Sequence, residues 1–263
     1  KVYVQLWTKA SSSAGSGYWT RTYEYNIDAD EDGIADEIDP NPGSYDPPIQ
    51  FVGPYATLTV LGSGRVANLQ LAPDVYYIYD AMKSGASNRY YMEFLTQILL
   101  YYLGDEFDFI MFAHDQGYVA DISAYGTYHS VRNDTLGIGQ PELDVGARFG
   151  SLEKLQGVIH FPLDDALSLG PSLHELLHRW ANHLTAVPSV ISEHWGFAGV
   201  GGQLGGWDPS TLVSLGGSLY QAHSGDFPGF GLFANYGNSV GYADLELYLM
   251  GLITIEDVPD VLI

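Results

Sequence analysis

The stretch HELLHRW, His174–Trp180, carries two histidines four residues apart, with a glutamate directly after the first. On an α-helix, residues four apart lie about 40° apart in projection, so His174 and His178 point the same way and can share one metal ion. Neutral imidazoles suit zinc. The carboxylate of Glu175 then lies beside the ion, where it can accept a proton from a metal-activated water. The alternative is a helix that carries one buried and one surface histidine.

The residues around these histidines have the features of a buried helix. Ser168 can cap it, and Pro171 suits its first turn. Leu176 and Leu177 supply apolar side chains between the two histidines. The pattern predicts a helix that runs to about Leu184.

The rest of the chain indicates an α+β fold. SNRYYMEFLTQILLYYLG, residues 87–104, has apolar residues at helical spacing and ends on glycine. FDFIMFA, residues 107–113, and LQGVIHFP, residues 155–162, are apolar runs of strand length. YADLELYLMGL, residues 242–252, returns to helical spacing. We therefore expect a helix and several strands before the HELLH helix, and another helix after it.

The motif H-E-x-x-H, matched by His174, Glu175 and His178, resembles that of the zincin metalloproteases. The resemblance implies a twisted, mostly antiparallel sheet that precedes the active-site helix and packs on it, with an edge strand that lines the substrate cleft. LQGVIHFP lies where that edge strand would fall. The expected fold class is α+β and zincin-like, with an N-terminal β extension.

A catalytic zinc needs a third protein ligand and one open position. On a continuous helix, His183 would lie about 180° away from His174. SEHWGF comes after a turn at Pro188, which lets the chain fold back toward the helix. His194 in this segment is the predicted third zinc ligand. Three carboxylates remain alternatives: Glu193, Asp244 and Glu246.

Residues 242–252 also carry candidates for supporting roles. Ligating imidazoles are usually oriented by hydrogen bonds to carboxylates or carbonyls, and Asp244 or Glu246 can serve here. Met250 is similar to the methionine that lies beneath the metal in the metzincin branch of the zincins. More often such a methionine is only part of the core.

DADEDGIADEID, residues 28–39, has the spacing of a twelve-residue calcium loop. Gly33 allows the sharp turn, and the Ile34 carbonyl is available at position 7. The carboxylate ligands are Asp28, Asp30, Asp32, Asp36 and Asp39. Followed by Pro40, the pattern resembles the calcium loops of EF-hands, dockerins and, most closely, thrombospondin type 3 repeats. We predict a structural Ca²⁺ here, with a solvated acidic turn as the alternative.

Composition restricts the classes of partner. The chain has 32 acidic and 10 basic residues, a net charge of -22, which speaks against binding to nucleic acid or to an anionic membrane. It has no apolar run long enough to span a bilayer, so no membrane insertion is expected. Since it has no cysteine, any metal must be held by His, Asp or Glu. The start at Lys1 without methionine suggests a mature chain whose leader has been removed.

These features predict a secreted, zinc-dependent metallopeptidase that hydrolyses protein or peptide substrates with Glu175 as general base. Residues 1–54 are predicted to form an N-terminal β-hairpin with the calcium loop, and residues 55–263 a zincin-like catalytic domain. One alternative is an extracellular structural or surface-layer subunit on a zincin-like scaffold without turnover. Another is a zinc hydrolase that acts on a non-peptide amide or ester. The sequence makes no prediction of oligomeric state.

Overall fold

The computed structural model describes nine parts of the chain: residues 49–61, 66–75, 88–113, 126–161, 167, 169–181, 183–187, 194–222 and 237–263. The predicted N-terminal hairpin, the predicted calcium loop at residues 28–39 and the alternative ligand Glu193 lie outside them. The chain forms two compact units, Lys1–Ala81 and Met82–Ile263. Each unit has its own sheet and is described by itself.

The described part of the first unit is a three-stranded antiparallel sheet. β1 (Ile49–Val52) pairs with β2 (Ala56–Leu61), and β2 pairs with β3 (Val66–Leu71). Alternate residues of β2, Leu58 and Val60 among them, are buried, as expected for a strand with one face toward an apolar core. The domain boundary expected at residue 54 falls in the turn between β1 and β2 and stays a prediction.

The second unit is a mixed α+β fold, which confirms the predicted fold class at this coarse level. Its elements in chain order are α1 (Asn88–Leu103), β4 (Phe109–Ala113), β5 (Thr127–Ser130), β6 (Arg132–Asn133), β7 (Leu143–Asp144), α2 (Gly146–Phe149), β8 (Gly157–Phe161), α3 (Ser172–Leu177), β9 (Val213–Gly216), β10 (Leu219–Gln221) and α4 (Asp244–Leu249). The main sheet has the order β4-β8-β5, with β4 parallel and β5 antiparallel to β8. Two antiparallel ribbons, β6–β7 and β9–β10, complete the described strands. Among the described helices, none is long and apolar enough to cross a membrane.

Three predicted elements are confirmed with slightly shorter bounds. The helix expected at residues 87–104 is α1, the strand expected at 107–113 is β4, and the helix expected at 242–252 is α4. Gly104 ends α1 with a φ of 78°, the left-handed conformation that glycine adopts without steric cost. Its N–H bonds the Leu100 carbonyl at 2.8 Å, which satisfies one of the last carbonyls of the helix.

The prediction that LQGVIHFP is the edge strand is wrong. LQGVIHFP forms β8, which lies between β4 and β5 among the described strands. All five residues of β8 are buried. A continuous apolar run is the pattern of such a central strand, whereas an edge strand with one face in water alternates. Among the described strands, β4 and β5 are the two edges of this sheet. The residues of β5 other than His129 are partly exposed.

The HELLH helix, α3, lies between two apolar clusters. Leu176 packs against the sheet cluster, whose buried members are Ala113, Ile159 and Phe161. Leu177 belongs to the C-terminal cluster, whose buried members also include Ala181, Trp195, Leu204, Leu245 and Leu249. Full burial of a leucine side chain contributes about 1.5–3 kcal/mol. Packing on both sides fixes the helix and therefore the direction of its histidines.

The helix is shorter than expected: it ends at Leu177 and not near Leu184. His178 follows as the C-cap and keeps helical backbone angles, φ -56° and ψ -13°. The next two N–H groups bond three residues back, which tightens the turn. The Nε2 of His183 lies 3.2 Å from the His178 carbonyl and can donate to it, so that carbonyl is satisfied outside the helix ladder. His178 therefore stays one helical turn from His174 although the helix ends before it.

A buried histidine on β5 makes stability depend on pH. His129 is 9% exposed, and within the described residues its Nε2 has no hydrogen-bond partner. Burial, together with the positive charge of Arg89, lowers the pKa of His129 to about 4. Between about pH 6.5 and pH 4 the unfolded chain binds a proton at this residue and the folded chain does not, so stability falls as the pH drops through this range.

We therefore expect the variant His129→Leu to lose less stability in acid than the wild type. Protonation of His129 in the unfolded chain accounts for up to about 3 kcal/mol of the fall in the free energy of unfolding in acid. Above about pH 7 this residue does not titrate and has no such effect. Urea unfolding of both proteins at pH 7 and pH 4.5 measures the difference. Equal losses in the two proteins would contradict the assignment.

Candidate metal centre

Three histidines bring their Nε2 atoms together in the second unit. The Nε2 of His174 lies 3.2 Å from that of His178 and 3.3 Å from that of His194. One ligand atom from each ring lies within 4.8 Å of the other two. Two nitrogens bound to one tetrahedral ion at 2.0–2.1 Å are about 3.3–3.4 Å apart. The observed spacing therefore fits nitrogens at the corners of a tetrahedron around one metal ion.

These are the three residues that the sequence named as zinc ligands. Among the described residues, no carboxylate joins the group, so neither Asp244 nor Glu246 is a member. His183 is also outside it, and its ring contacts the His178 backbone instead. The structure thus brings together one pair from a helix and a third histidine from a loop twenty residues later.

Two different devices position these rings. The helix α3 presents His174 and His178, which remain one turn apart. His194 is held by its neighbour Trp195, which is fully buried in the C-terminal cluster. The Trp195 N–H donates to the Leu204 carbonyl at 2.9 Å, which fixes the backbone next to His194.

Burial keeps the rings in the state that binds a metal. His174 and His178 are buried and His194 is half-buried. Burial lowers the pKa of His178 well below its ordinary value, and the neighbouring histidines lower it further. Burial also lowers the pKa of His194. Both rings are therefore neutral at pH 7, and a neutral imidazole offers a metal an unprotonated nitrogen.

The tautomer of His174 follows from its second ring nitrogen. Nδ1 lies 2.9 Å from the backbone carbonyl of Gln203, which can only accept a hydrogen bond. Nδ1 therefore carries the proton. Nε2 is left unprotonated, and its lone pair faces the other two histidines and can bind a metal ion. The sequence does not identify Gln203 as such a partner, because it lies in the glycine-rich segment GFAGVGGQLGGW, residues 196–207.

Glu175 points toward the start of the edge strand. Its side chain is buried, and its carboxylate lies against Gly126, the residue before β5. A Cβ at Gly126 would lie 2.6 Å from Cγ of Glu175 and 2.8 Å from its Oε1, so any larger residue must displace the carboxylate. Gly126 was also missed, because one glycine before a short strand gives no sign of which side chain approaches it.

Glu246 and Met250 have clear places in the fold. Glu246 on α4 is fully buried and its carboxylate accepts hydrogen bonds from Trp195 and from three backbone N–H groups. Burial raises the pKa of Glu246, while these donors act in the opposite direction by stabilising the charged carboxylate. Met250 packs against the C-terminal cluster, in agreement with the core alternative.

Comparison with protein-family models, with curated proteins and with solved structures gives no match. A function must therefore be argued from the residues and their geometry. The second unit brings together three imidazole nitrogens within 4.8 Å of one another and a buried glutamate that follows one of them in sequence. This glutamate lies against Gly126, the residue before the edge strand β5.

Proposed function

We propose that this protein is a secreted, zinc-dependent metallopeptidase of the zincin type. His174, His178 and His194 hold the zinc, and Glu175 is the general base. The observation that carries the proposal is the spacing of 3.2 Å and 3.3 Å between the Nε2 atoms. Without an ion, the single lone pair of the His174 Nε2 would accept a hydrogen bond from only one of the two neighbouring rings, whereas one ion gives all three nitrogens a common partner.

The donor set favours zinc over magnesium and calcium. Magnesium and calcium take oxygen ligands, and no carboxylate of the described residues joins the histidines. Three imidazoles that leave a fourth tetrahedral position open are a known arrangement of catalytic zinc, whereas structural zinc sites have four protein ligands. This chemistry supports a catalytic rather than a structural ion.

When bound, zinc supplies Lewis acidity, which lowers the pKa of a water molecule and polarises a carbonyl. Glu175 accepts the proton of the attacking water and returns it to the leaving amine. The Glu175 carboxylate lies against Gly126, at the start of β5. Its buried surroundings exclude competing water molecules from this proton transfer.

The edge strand β5 supports a peptide substrate. It is paired with β8 on one side, and no described strand pairs with its other side. An extended peptide can add to such an edge through backbone hydrogen bonds. A peptide bound along β5 passes the Glu175 carboxylate at Gly126, and this places an amide bond close to the proposed base.

The calcium loop supports an extracellular location. Its carboxylates at residues 28–39 are proposed to hold a structural Ca²⁺, which is abundant outside cells. This ion has no part in the reaction. Zinc and calcium should therefore have separable effects: zinc on turnover and calcium on the stability of the N-terminal part.

We expect the purified protein to cleave an unfolded protein such as casein, and to lose this activity when a chelator strips its metals. Adding back zinc alone should restore cleavage, and adding back calcium alone should not, because imidazole nitrogens bind zinc whereas calcium takes oxygen ligands. Metal analysis, with cleavage of casein and of a peptide library, tests this.

Two outcomes would contradict the proposal. Bound zinc without cleavage of any peptide would favour a non-catalytic scaffold. Hydrolysis of simple esters or non-peptide amides without cleavage of peptides would favour a zinc hydrolase of another class.

A further inference from the structure

The carboxylate of Glu246 lies at the centre of a buried hydrogen-bond network. Its Oε1 accepts from the Trp195 indole and from the Leu204 N–H, each at 2.9 Å. Its Oε2 accepts from the N–H groups of Gln203 and Ala243, each at 2.9 Å. The residue is fully buried. These four N–H donors match the hydrogen-bonding capacity of an ionised carboxylate, which has two oxygens and only accepts hydrogen bonds.

Two of these four bonds lead directly to the candidate metal centre. Gln203, whose N–H bonds Oε2, is the residue whose carbonyl faces Nδ1 of His174. Trp195, whose indole bonds Oε1, directly follows His194 in the chain. One side chain thus fastens the carbonyl that orients the first histidine and the residue that anchors the third.

The glycine-rich loop is shaped around this carboxylate. Gly202 and Gly205 exchange two backbone hydrogen bonds of 3.2 Å, which closes a tight turn with Gln203 and Leu204 at its tip. A Cβ at Gly202 would overlap the carboxylate of Glu246, with Oε1 at 2.7 Å. Gly202 therefore has to be glycine for the turn to direct its N–H groups at Glu246.

The side chain of Gln203 holds the same turn from the other side. Its Nε2 donates to the carbonyls of Gly237, at 3.0 Å, and Val240. The Gln203 backbone is therefore fixed between the segment before α4 and the Glu246 carboxylate. Its carbonyl has little freedom to move away from the His174 ring.

We propose that Glu246 is a positioning residue for the metal centre. Acting through the Gln203 backbone and through Trp195, it sets the ring orientations of His174 and His194. The inference rests on the proposed function, since it assumes that the three histidines hold a metal. It adds a residue 72 positions from His174 that does not touch the ion itself.

The substitution Glu246→Gln tests this with little change in size. A glutamine has one acceptor oxygen and one NH₂ group, so two of the four N–H donors must face an NH₂ group in either orientation of the amide. Either Trp195 and Leu204 or Gln203 and Ala243 lose their acceptor. Loss of such supporting partners typically weakens metal affinity about 10- to 100-fold.

Gly202→Ala tests the same connection between Glu246 and the turn without replacing Glu246. The Cβ of the new alanine would overlap the carboxylate and therefore push it and the turn apart. Gly241→Ala is the matched control: neither glycine has a left-handed φ, and a Cβ at Gly241 meets no atom within 4 Å. The three variants and the wild type are compared as folded proteins, verified by circular dichroism. If Glu246→Gln does not fold, Gly202→Ala decides.

The readouts are zinc affinity, by competition with a chromophoric chelator, and the visible spectrum of the protein loaded with Co²⁺. We expect Glu246→Gln and Gly202→Ala to bind zinc about 10- to 100-fold more weakly and to have altered Co²⁺ spectra, with Gly241→Ala like the wild type. Wild-type affinity and spectrum in both folded variants would overturn the positioning role and leave the proposed function intact. Absence of zinc binding in the wild type would overturn both.

Discussion

Replacing His174 with alanine should abolish stoichiometric zinc binding. His174 is the histidine whose Nε2 lies at 3.2 Å and 3.3 Å from the nitrogens of both other rings. Its removal leaves two imidazoles, one of them half-buried on a loop. The apparent free energy of zinc binding is about 10–16 kcal/mol for sites with four protein ligands, which corresponds to roughly 3 kcal/mol for each ligand. The expected loss is therefore about 100-fold or more in affinity.

His178→Ala and His194→Ala should have effects of the same size, because each removes one donor from the same ion. The matched control is His183→Ala. His183 is also a histidine close to the helix end, but it lies outside the group of three histidines, and its Nε2 faces the backbone carbonyl of His178. Zinc titrations of the four variants make the comparison. Retention of zinc by His194→Ala together with loss by His183→Ala would show that the third ligand is misassigned.

The pair His174 and His178 could be predicted from the sequence because their relation is local. A spacing of four residues on a helix fixes the relative direction of two side chains, whatever the rest of the fold does. His178 kept this relation even though the helix ended at Leu177, since its own backbone angles remain helical. The position of His194 required one further step, a chain reversal between the helix and the loop.

The contributions of Gln203 and Gly126 could not be read from the sequence, because both act through the backbone. A carbonyl that orients His174 is present in every residue, so only the fold reveals that Gln203 supplies it. The glycine pairs around Gln203 were a partial signal, since glycine is required where a backbone approaches another group closely. Gly126 had no such neighbours.

The sheet order was also beyond the sequence. An apolar run such as VIHF predicts a buried strand, but the strands on either side of β8 are chosen by contacts between distant parts of the chain. LQGVIHFP was predicted to be the edge strand because it precedes the HELLH segment, as the edge strand precedes the active-site helix in the zincins that the motif resembles. The continuous apolar run itself was the better guide, because such a run is typical of a central strand, and all five residues of β8 are buried.

Replacing Glu175 with glutamine should abolish turnover and leave zinc bound. Glutamine has the shape of glutamate but cannot accept a proton at neutral pH, so the attacking water loses its base. General bases contribute about 10²- to 10⁴-fold to rates, and we expect kcat to fall by that amount. The zinc content should not change, because Glu175 is not one of the three grouped residues.

Gly126→Ala tests the same base without changing its chemistry. The added Cβ would lie 2.8 Å from Oε1 of Glu175 and must push the carboxylate away from its place at the start of β5. We expect a lower kcat with zinc content and stability close to those of the wild type, whereas Gly241→Ala should keep full activity because its Cβ meets open space. Rates on one peptide substrate, with zinc content measured on the same samples, separate loss of the base from loss of the metal. Full activity of Glu175→Gln would show that another group takes the proton, and the contact between Gly126 and Glu175 would then have no catalytic meaning.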